Sequence, residues 1–296
     1  MDFKQELNKY QEIINNELEK YLKKQECPEK VLNQSMEYSL MAGGKRLRPV
    51  LMIDVYRIFN TDYQKCLPYA VAMEMIHNFS LIHDDLPGID NDDFRHGKQT
   101  NHKKFNEATA ILAGDGLLNG AYQVIANNIL EEQNVQIQKQ KILALKELTE
   151  STDRMIAGEY VDTEFEGKAI SADYLEYMHK NKTGALLRAS ARIGAIMSNA
   201  NEEELNKITK YAEIIGLTFQ IKDDILSAVG DEKILGKPVG NDAKRGKCTY
   251  VTKYGLENAQ NMLERLTEEA VEIAKTYNEK GEFLKCLAIY IKTRNK

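Results

Sequence analysis

The sequence predicts an all-α protein that forms one helical domain over residues 1–296. Apolar residues recur at the 3.6-residue spacing of helices over long segments, and the chain contains only five prolines. No repeat of fixed period, low-complexity stretch or evident linker divides the sequence, and a chain of 296 residues can bury a large core. A single domain is therefore the simplest organisation.

The individual helices follow from apolar periodicity and from residues that begin or end helices. In the first helix, Leu7, Ile14 and Leu18 fall on one stripe. Gly43 ends the second helix, since glycine is common just past a helix end, and Pro49 suits the first turn of the third. The predicted helices cover residues 3–24, 29–41, 50–59, 62–83, 108–126, 146–161, 172–198, 202–229, 256–277 and 283–291.

Three places interrupt this pattern. Residues 131–141 are rich in Gln and Lys and are expected to form a surface connection. Thr183-Gly184 lowers helix stability relative to alanine and predicts a kink within residues 172–198. Pro87-Gly88 breaks the chain after an apolar helix, which allows the carboxylates on either side of the break to approach each other.

Composition excludes several classes of protein. Hydrophobic content of 43% and charged content of 29% are ordinary for a globular protein, and no apolar run approaches the roughly 20 residues of a membrane span. The net charge of −5 disfavours general nucleic-acid binding. The polar start, residues 1–6, lacks a signal-peptide core, so a cytoplasmic location is expected. Four scattered cysteines without a Cys-x-x-Cys pair are expected to be reduced thiols.

Two acidic clusters carry the chemical signal. The first acidic cluster, Asp84, Asp85 and Asp90, follows the apolar residues 70–83, and the second acidic cluster is the pair Asp223 and Asp224. Neighbouring carboxylates repel each other, so a cation usually gathers beside them. Oxygen ligands without His or Cys spacing favour Mg²⁺ over zinc. If the two clusters face each other, they can hold one polyanion through several metal ions. Alternatively, both clusters are acidic turns exposed to solvent.

Basic residues accompany both clusters. Lys45 and Arg48 lie at a helix start, where free N–H groups and the helix dipole favour an anion, although a plain basic turn is equally consistent with this segment. His77 shares a helix face with Asp84, about two turns away, but such a histidine is more often part of the core. Lys237 belongs to a polar loop after the second acidic cluster, which indicates either a shared polyanion or a solvated loop.

Taken together, five segments resemble the trans-isoprenyl diphosphate synthases, a family of polyprenyl synthetases. They occur in the family's order over nearly the whole chain: residues 43–49, 84–95, 182–184, 219–224 and 236–242. The resemblance implies an all-helical bundle of the isoprenoid synthase type around a deep central cavity. It also implies a homodimer that uses Mg²⁺, three ions in each active site, without stable membrane insertion.

The resemblance further implies roles for individual residues. Metal ligands would be Asp84, Asp85, Asp90 and Asp223, with Asp224 acting less directly. The allylic diphosphate would be held by Arg95, Lys182 and Lys237, and isopentenyl diphosphate by Lys45, Arg48, His77 and His96. Thr183 and Gln220 would line the reacting end with oxygen dipoles, and the aromatic ring of Phe79 would limit the product to C15.

The implied reaction agrees with these residue types. An allylic diphosphate leaves a carbocation behind, so preplaced cations stabilise the charge that develops on the leaving group. The carbocation needs a dry, apolar site. The C=C bond of isopentenyl diphosphate then attacks, and the departing diphosphate accepts the proton, so no protein base is required.

Three residues depart from the family pattern and keep alternatives open. His96 replaces a usual arginine, Glu159 a usual glutamine, and Ser227 a usual third aspartate. A weakly active or regulatory subunit of a heteromeric synthase is therefore one alternative, and synthases of C10 or C20 products are others. A class I terpene cyclase shares the metal chemistry but would not need Lys45, Arg48 and His77.

Overall fold

The computed structural model describes residues 2–22, 26–168, 170–229 and 248–295. The helices in these ranges are α1 (Phe3–Tyr21), α2 (Lys30–Leu40), α3 (Leu47–Phe59), α4 (Leu67–Asp84), α5 (Asn101–Lys104), α6 (Glu107–Leu130), α7 (Val135–Glu164), α8 (Ala172–Lys182), α9 (Gly184–Met197), α10 (Glu202–Val229), α11 (Tyr250–Tyr254), α12 (Leu256–Lys275) and α13 (Glu282–Thr293). Strands β1 (Phe94–Arg95) and β2 (Lys98–Gln99) form a small antiparallel hairpin. The predicted all-α class is confirmed. Within the described ranges, no helix combines the length and apolar character needed to cross a membrane.

The expected surface connection over residues 131–141 is wrong. Helix α7 begins at Val135, and the Asn134 side chain caps it by accepting hydrogen bonds from the N–H groups of Gln136 and Ile137. Glutamine and lysine are good helix formers, so their abundance here marks an exposed helix face. Only residues 131–134 connect α6 to α7.

The expected kink at Thr183-Gly184 is a complete break. Residues 172–198 form two helices, α8 and α9, with Thr183 between them. The predicted helix over residues 62–83 also starts later than expected, since residues 63–66 form a 3₁₀ turn and α4 begins at Leu67 with Pro68 in its first turn. The break at Thr183 places the end of α8 at Lys182, one of the predicted site residues.

Helix α9 lies at the centre of the fold and packs against α3, α7 and α10. A Cβ atom on Gly194 of α9 would lie 2.4 Å from the carbonyl oxygen of Met52, so only glycine allows α3 this close. Helix α4 is apolar on nearly every side and packs along α6. This core fixes the C-terminal end of α4, the α8–α9 junction and α10 relative to one another.

Candidate active site

The first acidic cluster is held by an arginine from the β-hairpin. Asp84 ends α4 and Asp85 caps it, while β1 returns Arg95 to both carboxylates. The Arg95 guanidinium donates to Asp85 at 2.6–2.9 Å and to Asp84 Oδ2 at 3.0 Å. Burial raises the pKa of Asp85 to about 6, although Arg95 opposes this shift. After the predicted break, the Asp90 N–H group donates to the Asp84 carbonyl oxygen at 2.9 Å, so the chain does return towards Asp84.

Lys182 lies at the end of α8 among three carboxyl groups. Its Nζ is 2.7 Å from Asp162, 2.9 Å from Glu159 and 3.4 Å from Asp84. Burial alone would lower the pKa of Lys182, but these acidic neighbours raise it, so the ammonium group stays charged. Gly158 makes this arrangement possible, because a Cβ atom there would lie 2.2 Å from the Lys182 backbone nitrogen.

The environment of Glu159 favours its protonated form. Burial is the main reason that its pKa rises to about 8, with the negative charge of Asp84 adding to the effect and Lys182 opposing it. Burial would also raise the pKa of Asp84, but Lys182 and Arg95 lower it below its usual value. In its protonated form, Glu159 would donate a hydrogen bond to ionised Asp84, as a neutral amide would.

The second acidic cluster divides into an accessible and a buried carboxylate. The Asp223 side chain is 41% exposed and is held by the guanidinium of Arg294, which also donates to the Phe219 carbonyl oxygen at 3.1 Å. Asp224 is buried and accepts hydrogen bonds from Gln220 Nε2 at 3.0 Å and from the Tyr250 N–H group at 2.8 Å. Asp224 thus holds α11 against α10, while Asp223 is available to a ligand.

The α8–α9 junction connects the two acidic clusters through side-chain contacts. Lys182, on one side of the junction, reaches Asp84 of the first cluster. The next residue, Thr183, donates to Gln220 Oε1 at 3.0 Å, and Gln220 in turn binds Asp224 of the second cluster. Two consecutive residues therefore link groups that are far apart in sequence.

Arg48 and His77 form a partly buried pair near the clusters. Arg48 Nη1 lies 3.0 Å from His77 Nε2, and because arginine only donates, this nitrogen must accept. Burial and the neighbouring Arg48 and Arg95 lower the pKa of His77 well below its usual value, so the imidazole is neutral. Burial lowers the pKa of Arg48 to about 10, with Glu74 and Asp223 opposing, so the guanidinium remains charged at neutral pH. Its Nε is buried without a hydrogen-bond partner among the described residues.

The remaining residues predicted to bind diphosphate are Lys45, His96 and Lys237. Lys45 Nζ lies 5.6 Å above the ring of Tyr290. His96 adopts a φ of 52°, and partial burial together with Arg95 and Arg46 lowers its pKa, so its imidazole is neutral at pH 7. Lys237 lies outside the described residues.

Phe79 lies on α4, five residues before Asp84. Its side chain is 7% exposed, and its ring meets the imidazole of His83 edge to face, with ring centroids 5.0 Å apart. The ring therefore lies a little over one helical turn deeper than the first acidic cluster.

Sequence reasoning missed two residues of this arrangement. Asp162 lies three positions after Glu159, a spacing that places both carboxyl groups on one face of α7, so a local signal existed. Arg294 lies 71 positions from Asp223, and no local pattern links them.

Comparisons with known proteins identify the family of this chain. A family model described as polyprenyl synthetase matches residues 29–289. Farnesyl diphosphate synthase of Micrococcus luteus is 40% identical over 292 residues, covering 99% of each chain. Chloroplastic geranylgeranyl pyrophosphate synthase of Catharanthus roseus is 41% identical over 89% of this chain and 74% of its own. The crystal structure of an FPP/GFPP synthase from Zymomonas mobilis superposes with a TM-score of 0.87 at 31% identity, over 99% of both chains. The chain belongs to the polyprenyl synthetase family and is a prenyltransferase.

Proposed function

We propose that this protein condenses isopentenyl diphosphate head to tail with dimethylallyl or geranyl diphosphate, and that its main product is farnesyl diphosphate. The observation that carries the proposal is the grouping of Arg48, Arg95 and Lys182 around two acidic clusters joined by the α8–α9 junction. Cations and carboxylates in one partly buried space suit a substrate with several negative charges that is bound together with metal ions.

The first acidic cluster and Asp223 would together bind magnesium, although among the described residues no three His, Cys, Asp or Glu side chains converge on one metal position. Their donors are carboxylate oxygens, which Mg²⁺ prefers, and the lowered pKa of Asp84 keeps that group ionised at neutral pH. Asp84, Asp85, Asp90 and Asp223 would hold the metal ions. When bound, Mg²⁺ neutralises charge on the leaving diphosphate.

Arg95 and Lys182 would bind the allylic diphosphate. Both side chains remain charged and already contact Asp84, at 3.0 Å and 3.4 Å, so they lie beside the proposed metal ligands. Negative charge grows on the diphosphate as the allylic C–O bond breaks, and fixed cations stabilise that charge more than the ground state. Lys237 would contribute a third cation.

Arg48 and Lys45 would bind isopentenyl diphosphate. The Arg48 Nε donor is buried without a protein partner in the described part of the chain, which is costly unless a ligand accepts from it. Neutral His77 accepts from Arg48 and fixes its orientation, so it acts as a positioning residue. Neutral His96 would offer a hydrogen bond without the charge of an arginine.

The carbocation would form between these two diphosphate sites. Apolar residues of α4, with Phe79 among them, keep water away, and the oxygen atoms of Thr183 and Gln220 turn dipoles towards the positive charge. The C1 atom of the allylic cation bonds to C4 of isopentenyl diphosphate. The proton then leaves C2 of the isopentenyl unit for the departing diphosphate.

Product length decides between the main proposal and its alternatives. Purified protein with Mg²⁺ and isopentenyl diphosphate should convert both dimethylallyl and geranyl diphosphate to a C15 product, separated by reversed-phase chromatography. A dominant C20 or C10 product would replace the farnesyl assignment. Cyclised hydrocarbons, or no turnover by the lone chain, would contradict the proposed reaction.

We also propose a homodimer formed through α6 and α7. Their outer faces expose large apolar side chains that a second copy would cover, namely Ile111, Leu112, Ile142 and Leu143. Light scattering coupled to gel filtration should give twice the mass of 33.8 kDa, and a single-chain mass would contradict the dimer.

A further inference from the structure

The turn that leads into α3 contains an arginine in a left-handed backbone conformation. Arg46 is the N-cap residue of α3 and has a φ of 51°, a region of backbone space that disfavours residues other than glycine. Lys45 precedes it and Arg48 follows in the first turn of the helix. The conformation of Arg46 therefore sets the direction in which the chain runs between these two cations.

The Arg46 side chain binds three other helices, and the residue is only 4% exposed. Its Nε donates to Asn15 Oδ1 of α1 at 3.1 Å, and its Nη2 donates to the carbonyl oxygen of Leu40, the last residue of α2, at 2.6 Å. Its Nη1 donates to Glu74 Oε1 of α4 at 2.7 Å. These three contacts hold the left-handed conformation in place.

The start of α3 is attached to α4 at two points. Glu74, which is 3% exposed, accepts from Arg46 and also from Asn78 Nδ2 at 3.3 Å. His77 lies three positions after Glu74, a spacing that puts both residues on one face of α4, and it accepts from Arg48 at 3.0 Å. Two arginines that are two positions apart are therefore bound by neighbouring residues of one helix.

Stability alone does not account for the Arg46–Glu74 ion pair. Removing two charges from water costs free energy, and apolar residues of similar volume often stabilise a protein as well as a buried ion pair does. Glu74 Oε2 is also buried without a hydrogen-bond partner among the described residues, which adds to the cost. A role in specifying the conformation of this turn explains the pair better.

The charge of Glu74 also acts on Arg48. Burial lowers the pKa of Arg48, and among the effects that oppose this shift the negative charge of Glu74 is the largest. Glu74 therefore favours the charged form of an arginine that it does not contact through a hydrogen bond.

We infer that the Arg46–Glu74 ion pair positions Lys45 and Arg48 to bind the diphosphate of isopentenyl diphosphate. The inference rests on the proposed function, which assigns these two cations to that substrate. Arg46 and Glu74 act through their neighbours and are therefore positioning residues. A site whose cations are already oriented loses less conformational freedom when its ligand binds, so breaking the pair should weaken binding.

The effect should be selective for one substrate. The cations proposed for the allylic diphosphate, Arg95 and Lys182, come from β1 and the end of α8, and neither is printed among the partners of Arg46 or Glu74. A change in the turn before α3 should therefore leave binding of the allylic substrate intact.

Steady-state kinetics of the full chain with Mg²⁺, varying isopentenyl and geranyl diphosphate in turn, tests the inference. Glu74→Gln keeps the size of the side chain and removes its charge. It should raise the KM for isopentenyl diphosphate about fivefold or more and leave the KM for geranyl diphosphate within about twofold of the wild type. An unchanged KM for isopentenyl diphosphate, or an equal rise in both KM values, would overturn the inference.

A double variant covers the case in which Glu74→Gln does not fold because Arg46 is left without a counter-charge. Arg46→Gln/Glu74→Gln buries no charge at this position, and its two amides can form a hydrogen bond with each other. It should show the same selective rise in KM. A lower urea midpoint with both KM values unchanged would mean that the pair only stabilises the fold, which would overturn the inference.

Glu147→Gln is the matched control. Glu147 is also a buried glutamate paired with arginine, since Arg192 Nε lies 2.9 Å and Arg188 Nη2 3.4 Å from its Oε1. It lies about 18 Å before Glu159 along α7. Glu147→Gln should leave both KM values within about twofold of the wild type, and a rise equal to that of Glu74→Gln would overturn the inference.

Arg48→Gln separates this inference from the proposed function. If Arg48→Gln raises the KM for isopentenyl diphosphate and Glu74→Gln does not, the site is correct and only the inference fails. If Arg48→Gln leaves that KM unchanged, the proposed site fails, and the inference fails with it.

Discussion

Lys182 and Glu159 meet across the contact between α8 and α7, with Lys182 Nζ 2.9 Å from Glu159 Oε1. One ammonium group here faces three carboxyl groups, since Asp84 and Asp162 also lie within 3.4 Å of it. Repulsion among these carboxyl groups is reduced because burial raises the pKa of Glu159 and favours its protonated, uncharged form. In this form Glu159 would act as a neutral donor.

Glu159→Gln should retain activity within about threefold of the wild type at pH 7. The amide can donate to Asp84 and accept from Lys182, as the protonated acid does. Glu159→Ala removes both hydrogen bonds and should reduce kcat/KM at least about tenfold. If Glu159→Gln lost as much activity as Glu159→Ala, an ionised carboxylate would be required there.

Lys182→Met should lower kcat about 100-fold or more, because it removes a cation beside the developing charge of the leaving group. The initial rate at saturating substrates measures this effect. Lys180→Met is the matched control, since the Lys180 side chain is 61% exposed and pairs with Glu176 in the preceding turn of α8. A kcat within twofold of the wild type for Lys182→Met would remove Lys182 from the site.

Arg48→Gln should raise the KM for isopentenyl diphosphate about 10- to 100-fold and leave the KM for the allylic substrate nearly unchanged. A lost charged hydrogen bond costs roughly 1.5–3 kcal/mol, which corresponds to this range. Steady-state kinetics with each substrate varied in turn separates the two constants. Arg265→Gln, on the exposed face of α12, serves as the control. An equal rise in both KM values would argue against a separate isopentenyl diphosphate site at Arg48.

Phe79→Ala should lengthen the product beyond C15, because it removes the ring that lies one turn below the first acidic cluster. Chromatography of the dephosphorylated products gives the chain length. Phe59→Ala, at the far end of α3, loses a comparable aromatic contact, with Tyr277, and should leave the product unchanged. Unaltered product length in Phe79→Ala would show that other residues stop elongation.

Stability should fall as the pH rises from about 4 to 7, in part because of Asp54. Burial raises the pKa of Asp54 to about 7, whereas the unfolded chain has a value near 4. Over this interval the folded chain holds a proton that the unfolded chain has lost, so rising pH favours unfolding. The effect is at most about 4 kcal/mol, from roughly three pH units at about 1.4 kcal/mol each.

Urea unfolding at pH 5 and pH 8 measures this loss. Asp54→Asn should reduce the difference between the two pH values, whereas Asp153→Asn, on the exposed side of α7, should leave it as in the wild type. The same difference in Asp54→Asn as in the wild type would show that Asp54 does not titrate near neutral pH.

Local patterns predicted the helices well where periodicity and end signals coincide. The bounds of α10, residues 202–229, agree with the sequence because acidic residues open it and apolar spacing continues through it. The start of α7 was missed, since Gln and Lys are common both in connections and on exposed helix faces. At Thr183 the sequence predicted a kink, whereas the structure has a break between two helices. The separation of α8 from α9 depends on packing against α7 and α10, which the local sequence does not specify.

In the candidate site too, local sequence patterns predicted some residues, whereas others depend on how the helices pack. The carboxylates stand out in the sequence, since they follow an apolar helix. Their partners come from distant segments: Lys182 lies 98 positions from Asp84, and Arg294 lies 71 positions from Asp223. Such pairs depend on how helices pack, which residue spacing alone does not specify.

The α8–α9 junction has a consequence for redesigning this enzyme. Lys182 and Thr183 share one peptide unit. Lys182 contacts Asp84 of the first acidic cluster, and Thr183 contacts Gln220, which binds Asp224 of the second. A substitution that rotates this unit to improve contact with the allylic diphosphate will therefore also shift the hydroxyl group that faces Gln220. Libraries that vary residues 159 and 220 simultaneously should yield active variants that one-site libraries miss.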